Sequence, residues 1–213
     1  LPTLRPSMIN LRIPLYLASA SPRRHEILLQ MGVAHTVLDV PSPPGEDEPR
    51  LAGEHPADYV RRTAREKALR AIAWVARQAL PPQPILAADT TVFLGDDILG
   101  KPADAADAQR MLKRLSGTTH SVHTAVVLAW DGQLDEKVSM TEVRMKPLSD
   151  AEIAAYCATG EPMGKAGAYG IQGHAALFIE HISGSYSGVM GLPIFETGLL
   201  LQQLAVQYIA PGH

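Results

Sequence analysis

Apolar residues along this chain switch between two spacings, and the switches divide it into alternating strands and helices. Leu15-Tyr16-Leu17-Ala18 is an unbroken apolar run and predicts a buried strand over 15–19. Ser21 and Pro22 then supply a cap and a first helical residue for a helix over 22–31, which Gly32 stops. A short apolar run follows from Thr36 to Val40. Between Pro56 and Leu80, Val60, Ala64, Ala71 and Val75 recur at spacings of four and seven. That is the stripe of a long amphipathic helix, and Pro81-Pro82 ends it. Ile85 to Leu94 reads as a strand, Gly95-Asp96-Asp97 as a turn and Ile98-Leu99 as the returning strand. Asp104 caps a helix that Gly117 ends. Val122–Trp130 and Glu136–Met145 form a longer hairpin across Asp131-Gly132. Ser149 and Glu152 make a capping box for a helix stopping at Gly160. Gly160 to Gly191 is rich in glycine, within which Lys165–Gly173 has tight turns as its alternative reading, and a final helix starts near Pro193. Helices and strands alternate without strict strand–helix–strand repetition, so the expected class is α/β with a mixed sheet flanked by helices.

The 213 residues suit one catalytic-sized domain, expected over 15–208 after an N-terminal extension over 1–14, with no linker between two domains. Charged residues are 19% and the formal net charge is −3, so no global basic field exists for nucleic acid. No basic stripe with interleaved aromatics is present either, and aromatics are 5% of the chain. No stretch of about 18 apolar residues predicts a membrane span, and Leu1 to Asn10 lacks the apolar core of a signal peptide. The single cysteine, Cys157, excludes an intrachain disulfide and suits a reducing compartment. It reads as a structural thiol, and His120 and His123 read as ordinary strand residues rather than ligands.

Candidate chemistry sits where this patterning breaks. Arg23 and Arg24 occupy the first turn of a helix, the end the macrodipole already makes positive. Free backbone N–H groups plus two guanidinium forks describe a phosphate site; the alternative is an ordinary pairing with a carboxylate. Asp89 lies inside the apolar strand Ile85–Phe93, where an unpaired buried carboxylate costs several kcal/mol. Lys67 falls on the core-facing stripe of the long helix, whereas Arg61, Arg62, Arg65 and Arg70 read as its solvated face. Lys101 is one short hairpin from Asp89, so an antiparallel return brings the two near each other. Glu46, Asp47 and Glu48 form an acidic loop of the kind hard divalent cations favour. Around Gln172 the glycines of Lys165–Gly173 let backbone approach a ligand, and the Gln172 amide suits reading the edge of a base. No Walker A or GxGxxG pattern is present.

Taken in order, Leu17–Arg24, Ala64–Lys67, Ala88–Thr90, Gly100–Pro102, Arg114–Gly117, Lys165–Gly173 and Gly184–Ser187 through Gly191–Pro193 resemble the Maf family of nucleotide pyrophosphatases. The resemblance implies an elongated α/β fold of two lobes with a central cleft. It also implies hydrolysis of a nucleoside triphosphate between its α and β phosphates, with a divalent cation (Mg²⁺, Mn²⁺ or Co²⁺), a cytoplasmic setting and a homodimer. By motif, Asp89 is the base and, with Glu48, a metal-binding carboxylate. Lys67 and Lys101 act in catalysis by holding phosphates, together with Ser19, Arg23 and Arg24. Arg23, Thr90 and Gln172 stand at the positions that differ with the base accepted, and the combination resembles the branch acting on dTTP and UTP. The other readings are a branch taking modified or methylated purine nucleotides, and a nucleotide-binding regulator of septum formation. The sequence departs from the pattern in its longer, proline-rich acidic loop, in Gly164 where an aspartate is common, and in His174 where an aliphatic residue is common.

Overall fold

The computed structural model describes residues 8–43 and 49–207. Its elements follow the predicted order closely. They are β1 (Leu15–Leu17), α1 (Pro22–Gln30), β2 (His35–Val37), α2 (Pro56–Arg77), β3 (Ile85–Leu94), β4 (Asp97–Leu99) and α3 (Ala105–Leu115). After these come β5 (Thr119–Trp130), β6 (Gln133–Met145), α4 (Asp150–Ala158), β7 (Ile179–Ser183), α5 (Tyr186–Met190) and α6 (Ile194–Gln207). One seven-stranded mixed sheet runs β2-β1-β3-β5-β6-β7, with β4 also paired to β3. β1 is parallel to β2 and β3, and the remaining pairings are antiparallel.

Local chemistry accounts for most boundaries. Asp131 and Gly132 both take positive φ, 50° and 76°, which matches the twist of β5 and β6 and allows a two-residue turn. The Ser149–Glu152 capping box forms in full at the start of α4. α2 stops at Arg77 rather than at Leu80, because Ala79 turns to positive φ and the prolines that follow disfavour helical backbone before them. Ser21 occupies the N-cap of α1, but its hydroxyl makes no capping bond. Its own N–H is instead taken by the Ser19 hydroxyl. The glycine-rich region holds more than turns. It contains two 3₁₀ segments (166–168 and 174–178), the edge strand β7 and the short helix α5. Lone strand pairing and single-turn helices leave no periodic signal.

Alternation along β3 sends its side chains to two faces. On one face, Ala87, Ala125 and Val127 meet Val60, Ala64 and Ala68, and these small residues let α2 lie close to the sheet. On the other, Leu86, Ala88, Val126 and Leu128 pack with α1 and α6. Further along the same face Val92, Val122 and Val143 pack with α3 and α4 as a second core. Between those two cores runs a polar row, Thr90, Thr124 and Ser139, paired across β3, β5 and β6. This row separates the two lobes, and the sheet passes through both. The cleft opens along the edge of β3. β1 covers that edge as far as Leu86 and β4 covers it from Val92 onward, so among the described residues no strand pairs with Ala88–Thr91 on that side. No helix of the described residues is long and apolar enough to cross a membrane.

Candidate active site

Asp89 lies at the uncovered stretch of β3, on the α2 face. Its carboxylate is 15% exposed, and a charge so far removed from water requires partners. Lys67 Nζ donates to Oδ1 at 2.5 Å and Thr63 Oγ1 donates to Oδ2 at 2.7 Å. Thr63 and Lys67 are four residues apart on α2, which stacks them on one helix face. Lys67 therefore does leave the solvated face, as its place on the apolar stripe predicts. Thr63 escaped the sequence reading, although a hydroxyl on a buried stripe next to Lys67 was a legible signal.

The adjacent residue, Thr90, points through the opposite face. Its Oγ1 is 2.9 Å from Thr124 Oγ1 and accepts from Arg24 at 3.3 Å. Arg24 also donates to Ser19 Oγ at 3.2 Å and, through Nε, to the Gly191 carbonyl at 2.7 Å. Arg23 Nε donates to the Met190 carbonyl at 3.2 Å. The last carbonyls of α5 and its cap thus orient both arginines by their Nε edges. Among the described residues no carboxylate pairs with Arg23, so the ordinary-pairing alternative does not account for it. Ser19 and Thr90 stand behind Arg24 and aim it. Gly191, at φ 120°, carries one of these carbonyls in backbone that side chains rarely adopt.

The far wall comes from the Lys165–Gln172 segment. Gly167, at φ 71°, donates its N–H to the Gly100 carbonyl, tying this wall to the β4 exit that carries Lys101. A Cβ at Gly167 would lie 2.8 Å from Val92 Cγ1, so only glycine fits. Gln172 is exposed and lines the cleft. Lys165 Nζ donates to the Glu161 carbonyl at 2.6 Å. Burial and the neighbouring Arg23 charge hold the Lys165 ammonium below the usual lysine range.

The resulting cleft measures about 750 Å³. Among the described residues that line it, six are basic (Arg23, Arg24, Lys67, Arg70, Lys101 and Lys165) against one carboxylate, Asp89. On a chain with net charge −3, that excess is a local device for a polyanion. Arg70 thus lines the cleft, and Arg62 is bound through Nε to Glu54 at 2.6 Å; neither belongs to the solvated face expected for them. Arg61 and Arg65 do keep to the exposed face and pair with Glu136. Arg70 was placed on the solvated face, and Lys165 was given no role of its own within the glycine-rich segment, because nothing local in the sequence separates either from surface cations.

A divalent cation needs oxygen donors. Glu48, with Glu46 and Asp47, lies outside the described residues. Among the described residues no three His, Cys, Asp or Glu side chains group as a metal site. Asp89 supplies one carboxylate, which suits a Mg²⁺-like ion that takes one or two carboxylates and completes its shell with water and phosphate oxygens. The strand histidines are structural. His120 Nε2 lies 2.6 Å from the Tyr169 hydroxyl, and burial pushes this imidazole down to about 4. His123 packs edge-on to Phe93. Burial raises the Cys157 thiol, which makes it a poor nucleophile.

A family described as Maf-like protein matches residues 14–204. The chain is 62% identical over 192 residues to a Bordetella parapertussis protein named dTTP/UTP pyrophosphatase, covering 90% of this chain and 93% of that one. A protein of the same name from Ralstonia nicotianae is 55% identical over 195 residues, covering 90% of this chain and 94% of its own length. Another, from a Polaromonas species, is 51% identical over 190 residues, covering 88% and 94%.

Proposed function

The chain belongs to the Maf family, and on that premise we propose that it hydrolyses dTTP and UTP to the monophosphate and pyrophosphate. The observation that carries this reading is the cleft charge, six basic side chains around one carboxylate, together with the activity in its relatives' names. A triphosphate concentrates negative charge along a short chain. Arg23, Arg24, Lys67 and Lys101 neutralise it and hold the α-phosphorus open to in-line attack. Water attacks that phosphorus, the bond to the oxygen bridging to the β-phosphorus breaks, and pyrophosphate leaves. Asp89, fixed by Thr63 and Lys67, takes the water's proton. A divalent cation, held by Asp89 with Glu48 as the proposed second carboxylate, would supply charge neutralisation and a more acidic water. For base choice, the Gln172 amide pairs with the O4 and N3–H edge shared by uracil and thymine; cytosine exchanges that donor and acceptor, so selection requires the amide to keep one orientation once the base is bound. Arg23 and Thr90 are the further residues proposed for the same selection, and Thr90 also steadies the phosphate-holding Arg24.

The proposed setting is cytoplasmic and the proposed assembly a homodimer. One cysteine supports the first. The exposed apolar stripe Phe195, Leu199 and Val206 on α6 supports the second, to be checked by sedimentation. The enzymatic test is pyrophosphate release with Mg²⁺ or Mn²⁺ from UTP, dTTP, CTP, GTP and methylated purine nucleotides. Selective turnover of UTP and dTTP is expected. Turnover of another nucleotide overturns the specificity, and no turnover by folded protein that binds nucleotide overturns the activity.

A further inference from the structure

The segment that carries Lys165 and Gln172 folds around a carboxylate that lies outside the catalytic set. Glu161 Oε2 accepts from the His174 N–H at 2.9 Å, and Oε1 accepts from the Ala175 N–H at 3.4 Å. Those two donors begin the 3₁₀ segment 174–178, where backbone N–H groups have no partner of their own. The Tyr156 hydroxyl donates to Oε1 at 2.8 Å and accepts from the Gly170 N–H at 3.2 Å. The loop is therefore pinned on both sides of Gln172, at Gly170 and at His174–Ala175. The Glu161 carbonyl also receives the Lys165 ammonium. The fit leaves no slack, since a Cβ at Gly173 would lie 2.3 Å from Oε2. Gln172 is exposed, and none of the described contacts holds its side chain, so its aim depends on its backbone.

We propose that Glu161, with Tyr156 as its relay, is a positioning residue for base selection: it holds the backbone of Gly170–Ala175 so that the Gln172 amide meets the pyrimidine edge. This rests on the dTTP/UTP reading above. Ser19, Arg23, Arg24, Lys67 and Lys101, the residues assigned to the phosphates, lie on the β1–α1 loop, α1, α2 and the β4 exit and make no bond to Glu161, and Lys165 meets only its backbone carbonyl. Removing its carboxylate therefore loosens base choice and spares the phosphate subsite.

The test compares wild type with Glu161→Ala, Glu161→Gln and Tyr156→Phe. Three quantities are read: kcat/KM for UTP and CTP, inhibition by base-free tripolyphosphate, and hydrogen exchange of the peptide spanning 165–175. Glu161→Ala is expected to lower the UTP-to-CTP ratio about tenfold or more, the scale of one well-placed polar contact. The tripolyphosphate inhibition constant should stay within about twofold, as expected when the remaining contacts are independent. Glu161→Gln keeps one acceptor oxygen and should fall between. Exchange should quicken across 165–175 in all three. A folded Glu161→Ala protein with an unchanged ratio overturns the proposal. So does a parallel loss of tripolyphosphate binding, which marks a general structural role. If Glu161→Ala does not fold, Glu161→Gln and Tyr156→Phe carry the same comparison. Wild type that hydrolyses neither nucleotide refutes the activity instead. The exchange measurement then still decides the anchor, and unchanged exchange in Glu161→Gln overturns it.

Discussion

Replacing Asp89 by asparagine removes one negative charge and almost no volume, so its consequences can be worked from the contacts. The amide oxygen can keep the bond from Lys67. The amide N–H₂ then faces Thr63 Oγ1, which can rotate to accept it while donating to the Tyr59 or Val60 carbonyl, 3.0 and 3.1 Å away. Hydrogen bonding survives and the Coulomb attraction does not. At an effective dielectric of about 20 that attraction is roughly 7 kcal/mol gross for a 2.5 Å pair, and most of it is offset by desolvation. The two side chains are 15% and 22% exposed, between the buried and surface regimes, so the net loss should be about 2 kcal/mol. For a chain of this length that lowers the melting temperature by roughly 4–8 °C and leaves the protein folded at 25 °C. Loss of a general base costs about 10²–10⁴-fold in turnover. Circular dichroism melts and pyrophosphate release at saturating UTP measure the two effects separately. A folded Asp89→Asn protein with kcat within about threefold of wild type removes Asp89 from the proton-transfer step, because the expected loss starts at about 10²-fold.

Three further expectations follow from other parts of the molecule. Gln172→Ala should reduce the preference for UTP over CTP by about 1–3 kcal/mol in kcat/KM, and an unchanged ratio refutes the base-edge pairing. His120 is buried neutral, with its folded value lowered to about 4 from 6.5. Its contribution, about 3 kcal/mol, is fully present above pH 6.5 and is lost as pH falls from 6.5 to 4. Urea unfolding of wild type and His120→Phe between pH 7 and 4 should show the shallower pH slope in the variant; equal slopes refute the assignment. Gly167→Ala should destabilise by about 2–3 kcal/mol or more, from positive φ and the contact with Val92, and a melting temperature equal to wild type contradicts that fit.

Lys67 and Asp89 were visible in the sequence as polar breaks in apolar patterns, and the structure joins them directly. Lys101 and Gln172 also reach the cleft from the segments expected to carry them. Arg23 and Arg24 were visible as charges at the wrong end of a helix. Their actual supports, the Met190 and Gly191 carbonyls, are 167 residues away in sequence and carry no side-chain signal. Arg70 was misread as a solvated-face residue for the opposite reason, since an arginine is ordinary on any helix, and Thr63 was passed over although it shares a helix face with Lys67.

What the sequence determined alone is the elements outside the glycine-rich region and most of their ends. Stripe periodicity, the Asp131-Gly132 turn and the Ser149–Glu152 box act over about four residues, so they are legible locally. The tertiary structure decided where the site opens. β1 and β4 cover different stretches of one edge of β3, and the Thr90–Thr124–Ser139 row parts two cores. It also decided that one carboxylate, Glu161, anchors the glycine-rich wall. These features depend on which distant segments share an edge or a donor, and that is settled by burying every apolar face and pairing every buried polar group at once.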